Sequence, residues 1–117
     1  MPKCEVIRKG IEFDVIFRTG SRINGELVRI LYLRDRACEG IRFGFAVGKR
    51  QGKAHVRNRG RRILREAFRT LSGRIRPGIS IILMLNDKGL ASKTPEITYE
   101  LERLLSRKKL ICSHEQR

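Results

Sequence analysis

The chain has 117 residues, with 27 Lys and Arg against 12 Asp and Glu, for a formal charge of +15. Its 40% hydrophobic content supports one folded domain with a modest core and excludes a disordered basic tail, and no apolar run approaches the roughly 20 residues of a membrane span. So one-signed a composition points to a nucleic-acid partner or, as the weaker option, an anionic membrane surface.

The first residues lead into no long apolar segment, so no secretory signal is expected and the chain is assigned to the cytoplasm. Cys4, Cys38 and Cys112 are odd in number and lack C-x-x-C spacing, which fits reduced thiols. His55 and His114, the only histidines, stand at no ligand spacing to the cysteines, so no zinc site is expected.

Residues 7–18 read as a helix. Ile7, Ile11, Val15 and the Ile16–Phe17 pair form an apolar stripe, and Gly20 follows as a stop signal. Phe13 lies off that stripe, where it either packs on a sheet or stays exposed to stack on a base. Asn24-Gly25 is a turn signal. Residues 26–34 follow as a strand, with Val28, Ile30 and Tyr32 alternating against Arg29, Leu31 and Leu33. Both faces are largely apolar, as suits a strand with helices on one side and a cleft on the other. Residues 34–40 make a polar hairpin-type loop. Residues 41–49 form the next strand, with Phe43, Phe45 and Val47 on one face and Gly44, Ala46 and Gly48 on the other. The small residues leave room either for a helix or for a ligand.

A basic loop, residues 51–55, feeds a helix over 56–71. Nine cations fall between Lys49 and Arg69, with Glu66 as the only acid among them. At about 100° per residue, Arg57, Arg61, Arg65 and Arg69 form one row along this helix, with Asn58 and Arg62 beside it. Val56, Ile63, Leu64, Ala67, Phe68 and Leu71 share the opposite arc and can dock on a sheet. Solvated helix faces normally mix signs, so this row reads as a polyanion-binding face. Gly60 falls on the apolar arc at a cost of about 0.5–1 kcal/mol relative to Ala. Either it permits a close contact or it weakens the first turns.

Pro77-Gly78 breaks the chain. Residues 79–85 are an apolar run buried on both faces of a sheet, and residues 86–89 close it. Thr94 is the expected N-cap and Pro95 the first helical residue of a helix that carries Ile97, Leu101, Leu104 and Leu105 through Lys109. Residues 112–117 are expected to fray. The order is α-β-β-α-β-α, an α+β sandwich with a split βαβ unit over 41–49, 55–71 and 79–85 and a central, mostly antiparallel sheet.

No nucleophile, base and orienting group come together in this pattern. His55 is alone among cations, and Glu66 has no second carboxylate for Mg²⁺. Binding to another catalyst fits better than catalysis by the chain itself, and no catalytic or metal-ligating residue is assigned.

The run Gly44-x-x-Val47, Lys49-Arg50, Gly52-Lys53-Ala54 and Arg57-Asn58-Arg59-x-Arg61-Arg62-x-x-Arg65-Glu66 resembles the protein subunit of bacterial ribonuclease P. The segment Glu12-Phe13-x-x-Ile16-Phe17-x-x-Gly20 is similar to that family's aromatic pair. The resemblance implies a ribosomal protein S5 domain 2-like fold and a part in a ribonucleoprotein endoribonuclease. That enzyme removes the 5′ leader of precursor tRNA, with Mg²⁺-dependent hydrolysis performed by its RNA subunit and no organic cofactor. It implies partnership with ribonuclease P RNA and precursor tRNA rather than with a membrane. Carried onto this sequence, it places Phe13, Phe17, Leu31, Ala46, Arg57, Arg61 and Arg65 in a cleft for the leader. Lys49, Arg50, Lys53, Asn58, Arg59, Arg62 and Arg69 would then meet the RNA subunit. Two positions depart from the family: Leu31 stands where an aromatic is frequent, and Gly60 where an apolar side chain is usual. Two alternatives stay open at this level, a different RNA-binding module and a basic amphipathic helix at an acidic membrane.

Overall fold

The computed structural model describes residues 4–7, 10–34, 39–48 and 52–112. In chain order its elements are β1 (Cys4–Val6), α1 (Gly10–Thr19), β2 (Ser21–Asn24), β3 (Val28–Arg34), β4 (Ile41–Ala46), α2 (Ala54–Leu71), β5 (Ile79–Leu85), a four-residue helix α3 (Asp87–Leu90) and α4 (Thr94–Arg107). One five-stranded sheet runs β1-β4-β5-β3-β2. The β2–β3 and β3–β5 pairings are antiparallel, and β1–β4 and β4–β5 are parallel. The α+β class stands, but β4 and β5 are direct hydrogen-bonded neighbours, so the β4-α2-β5 unit is a plain βαβ and not a split one. Strand order across a sheet is set by pairing partners, which a linear pattern does not show.

The edge strands β1 and β2 were not foreseen. Both are short, and β1 is exposed along its length, so neither carries the alternation that marks a half-buried strand. The first helix starts at Gly10 and not at residue 7. Ile7 is drawn instead into the sheet layer, where its N–H donates to the Phe43 carbonyl at 2.7 Å and its side chain is buried. Strand β4 ends at Ala46, three residues early. In α4, Thr94 lies inside the helix and Lys93 caps it, its N–H donating to Glu96 Oε1 at 2.9 Å. Cys112 is held rather than frayed: its N–H donates to the Arg74 carbonyl at 2.8 Å, and its own carbonyl accepts from Arg74 Nε at 2.9 Å.

Helices α2 and α4 cover one face of the sheet. Buried Ile63, Leu64, Ala67, Phe68 and Leu71 of α2 and Ile97, Leu101, Leu104 and Leu105 of α4 meet Ile30, Ile41, Ile79, Ile81 and Leu83. Gly60 is also buried against this layer. A Cβ there would lie 3.0–3.2 Å from the side-chain ends of Leu90, Val47 and Leu85, so the glycine admits a close contact, one of the two readings its position allowed. Glu100 fastens α4 to the start of β3. Its buried carboxylate accepts from the N–H groups of Leu27 and Val28 at 2.7 and 2.8 Å and of Glu26 at 3.2 Å. Among the described residues, helix α1 lies alone on the other face, over Leu31 and Ile82.

Candidate nucleic-acid interface

The pleat decides which residues face α1. Partners directly across strands share a face, so Gly44, Ile82 and Leu31 form one row and Ala46, Met84 and Arg29 the next. Against these rows α1 packs Ile16, Phe13 and Phe17. Phe13 lies directly on Gly44, where a Cβ would come within 2.6 Å of its ring. The small-residue face of β4 thus admits an aromatic ring from α1. The rings of Phe13 and Phe17 are roughly parallel, 6.5 Å apart at 27°. Both are half-buried, as are Leu33, Ala46 and Met84. The result is a shallow apolar groove whose aromatic surface is still open to solvent.

Cations rim this groove. Arg29 is exposed on the same face as Leu31 and Leu33. Arg22, in register with Leu31, reaches the Phe17 carbonyl through Nη2 at 3.4 Å. Arg42 pairs with Glu12 of α1 at 2.6 Å. Neither Arg22 nor Arg29 was singled out from the sequence. The alternation in residues 26–34 already puts Arg29 beside Leu31, but Arg22 needs the β2–β3 register to be seen.

Helix α2 supplies the second set of cations. Gly60 contacts Val47 and Leu85, and Phe68 stacks on Phe43 with centroids 4.5 Å apart. The helix therefore begins at the Ala46 end of the sheet and runs toward the β1 end. Arg57 and Arg61 sit in its first half, at the end where Ala46 and Met84 open the groove. Both are half-buried, and Arg57 Nε is enclosed with no hydrogen-bond partner among the described residues. Arg61 donates through Nη2 to Asn58 Oδ1. Lys53, Asn58, Arg59 and Arg62 are exposed around the same turns. Arg69 is exposed in the last turn and bonded to Glu66 at 2.9 Å. Lys49 and Arg50 lie outside the described residues.

Two expected leader residues are placed differently. Leu31 is on the groove face but 1% exposed. It is floor beneath α1, and no ligand reaches it as the groove stands. The neighbouring Tyr32 points to the opposite face and packs against the larger core. Arg65 shares its surroundings with Phe43, Phe45 and Phe68, on the α2 side of the sheet and away from Phe13, Phe17 and Ala46. A helical row is straight while a sheet has two sides, so the far end of the row leaves the groove.

Among the described residues no three His, Cys, Asp or Glu side chains cluster so as to hold a metal ion, and the one carboxylate on the cationic helix is engaged by Arg69. Among the same residues, no helix is long and apolar enough to cross a membrane.

Fold and charge together define a class: a basic α+β protein with a cation-rimmed aromatic groove on one face of its sheet. The sequence model of the ribonuclease P family matches residues 1–109. The chain is 32% identical over 111 residues to the ribonuclease P protein component of Symbiobacterium thermophilum, covering 95% of this chain and 96% of that one. It is 38% identical over 96 residues to the component of Desulfotalea psychrophila, covering 82% and 78%. Among solved structures, the RNase P protein of Staphylococcus aureus superposes with a TM-score of 0.81 at 25% identity, covering 93% of this chain and 99% of that one. That of Thermotoga maritima gives 0.77 at 28%, covering 88% and 96%. The chain belongs to the ribonuclease P protein family, the protein component of a tRNA-processing ribonuclease.

Proposed function

We propose that the chain binds two RNAs, the catalytic RNA of ribonuclease P and the single-stranded 5′ leader of precursor tRNA, and so assists endonucleolytic removal of that leader. The observation that carries the reading is the groove of Phe13, Phe17 and Ala46, left half-open on one face of the sheet. Stacking on an aromatic contributes roughly 1–3 kcal/mol per base and tolerates any sequence, which suits a leader whose bases vary. Arg57 and Arg61 at the mouth of the groove, with Arg29 on its floor side, neutralise leader phosphates. The exposed Lys53, Asn58, Arg59, Arg62 and Arg69, with Lys49 and Arg50, meet the RNA subunit.

Hydrolysis belongs to the RNA subunit and the Mg²⁺ it holds, which supplies the charge neutralisation and activated water of phosphoryl chemistry. This chain positions the leader and lowers the repulsion between two polyanions. The cellular setting that follows is the cytoplasm, where precursor tRNA is met. The test is reconstitution: purified protein, a bacterial ribonuclease P RNA and a precursor tRNA at low Mg²⁺, with leader release followed over time. Release stimulated by the protein, and dependent on the RNA subunit, is the expected result. Cleavage by protein alone, or tight RNA binding without stimulation, contradicts the proposal.

A further inference from the structure

A second concave site lies on the opposite side of the sheet from the groove. It is a cavity of about 380 Å³ between the edge strand β1 and the C-terminal half of α2. That volume falls within the roughly 300–1,000 Å³ of small-ligand sites. Its wall is aromatic: Phe43, Phe45 and Phe68 all line it, with Phe43 stacked on Phe68 at 4.5 Å and Phe45 tilted against both. Its rim is cationic. Arg65 and Arg69 border it, Arg65 is exposed, and no hydrogen bond or ion pair engages it among the described residues. On the remaining side lie Cys4 and Val6 of β1, both exposed.

An aromatic wall beside two guanidinium groups matches one chemical unit, a planar base joined to a phosphate. The wall offers π-faces to the base, and the arginines offer forked donors to the phosphate oxygens. Arg69 already holds Glu66 at 2.9 Å, so an apolar peptide would leave Arg65 without a partner, and the chain's charge of +15 favours the anion. We propose that this cavity holds one unpaired nucleotide of a single-stranded RNA, its base against the half-buried Phe43 and Phe45, which Phe68 backs from the core, and its phosphate between Arg65 and Arg69. The site is separate from the leader groove, on the other face of the sheet, and it stands or falls apart from that assignment. It also accounts for the placement of Arg65, which the row on α2 carries away from Phe13 and Phe17.

The thiol of Cys4 is a reporter built into the cavity rim. Its alkylation rate in the whole protein is read by peptide mass spectrometry, with Cys112 as internal reference. The probes are an adenine tetranucleotide and an abasic tetramer of the same charge, each at saturation. The base-bearing tetramer is expected to slow Cys4 alkylation at least five-fold more than the abasic one, and to do so equally in Phe13→Ala. Arg65→Gln, a change on the exposed helix face that leaves the core untouched, should weaken the tetranucleotide's protection. Equal protection by the two tetramers would mean that only phosphates are read, and it would overturn the proposal. Loss of the difference in Phe13→Ala would overturn it too, by moving the base to the other face. Protection of Cys4 by neither tetramer would leave the cavity to another class of partner, such as an extended peptide on β1, and is a third contrary outcome.

Discussion

The two faces of the sheet carry different amounts of helix. Five strands at about 4.8 Å spacing make a surface close to 19 Å wide. On one side lie α2 with 18 residues and α4 with 14, about 27 and 21 Å long at 1.5 Å per residue. They bury most of the apolar side chains presented to them and leave Phe43 and Phe45 half-buried beside β1. On the other side, among the described residues, lies α1 alone, with 10 residues and about 15 Å of length. It seals Ile7, Ile16, Leu31 and Ile82 but leaves Phe13, Phe17, Leu33, Ala46 and Met84 half-buried. The first face is mostly core, with a single aromatic cavity described at its β1 edge. The other keeps apolar and aromatic surface for a ligand, at the expense of core.

That difference makes predictions of graded size. The largest effect belongs to the sealed face. Leu64→Ala, at a side chain with no exposure, should lower stability by about 2–5 kcal/mol in chemical denaturation. A loss below about 1 kcal/mol would mean α2 is only loosely docked. Next comes the tie between α4 and β3. Glu100→Ala strands the backbone donors of Leu27 and Val28, and it should cost about 1–3 kcal/mol. An unchanged denaturation midpoint would show that water replaces the carboxylate at no cost.

Charge on α2 should have little to do with stability. Arg61→Ala combined with Arg65→Ala should leave the circular dichroism spectrum intact. It should also lower the slope of log affinity for single-stranded RNA against log salt by roughly 0.7 per lost phosphate contact. Unfolding of this double variant would mean that the row belongs to the packed arc. The smallest effect is expected at Gly60→Ala. Helix propensity gains up to about 1 kcal/mol, while three side-chain ends at 3.0–3.2 Å must give way at similar cost. The net change in melting should therefore stay within about 1 kcal/mol. A loss of several would mean that Val47, Leu85 and Leu90 cannot shift.

Local chemistry was readable in the sequence wherever one element settles the matter. The wheel over 56–71 separates Leu64, Ala67 and Phe68 from the arginines, and all three are buried. Alternation in residues 26–34 puts Leu31 and Tyr32 on opposite faces, as found. What needs two elements was not readable. The fit of Phe13 on Gly44, the cation Arg22 beside Phe17, and the burial of Leu31 under α1 all depend on register and docking. Arg65 is the clearest case. Its place in the row is fixed by helical spacing, but which side of the sheet it reaches is fixed by the face on which α2 docks. The strands 4–6 and 21–24 are too short to bear a periodic signal of their own.

The central claim, that the half-open face holds the leader, is tested most directly by one comparison of affinities. Reconstituted holoenzyme carrying Phe13→Ala would be measured against precursor tRNAs with a long leader and with almost none. Removing one stacking ring should weaken the long-leader substrate by about five-fold or more and leave the short one unchanged. Equal weakening of both, or no weakening with the protein folded, would contradict the assignment of this face to the leader.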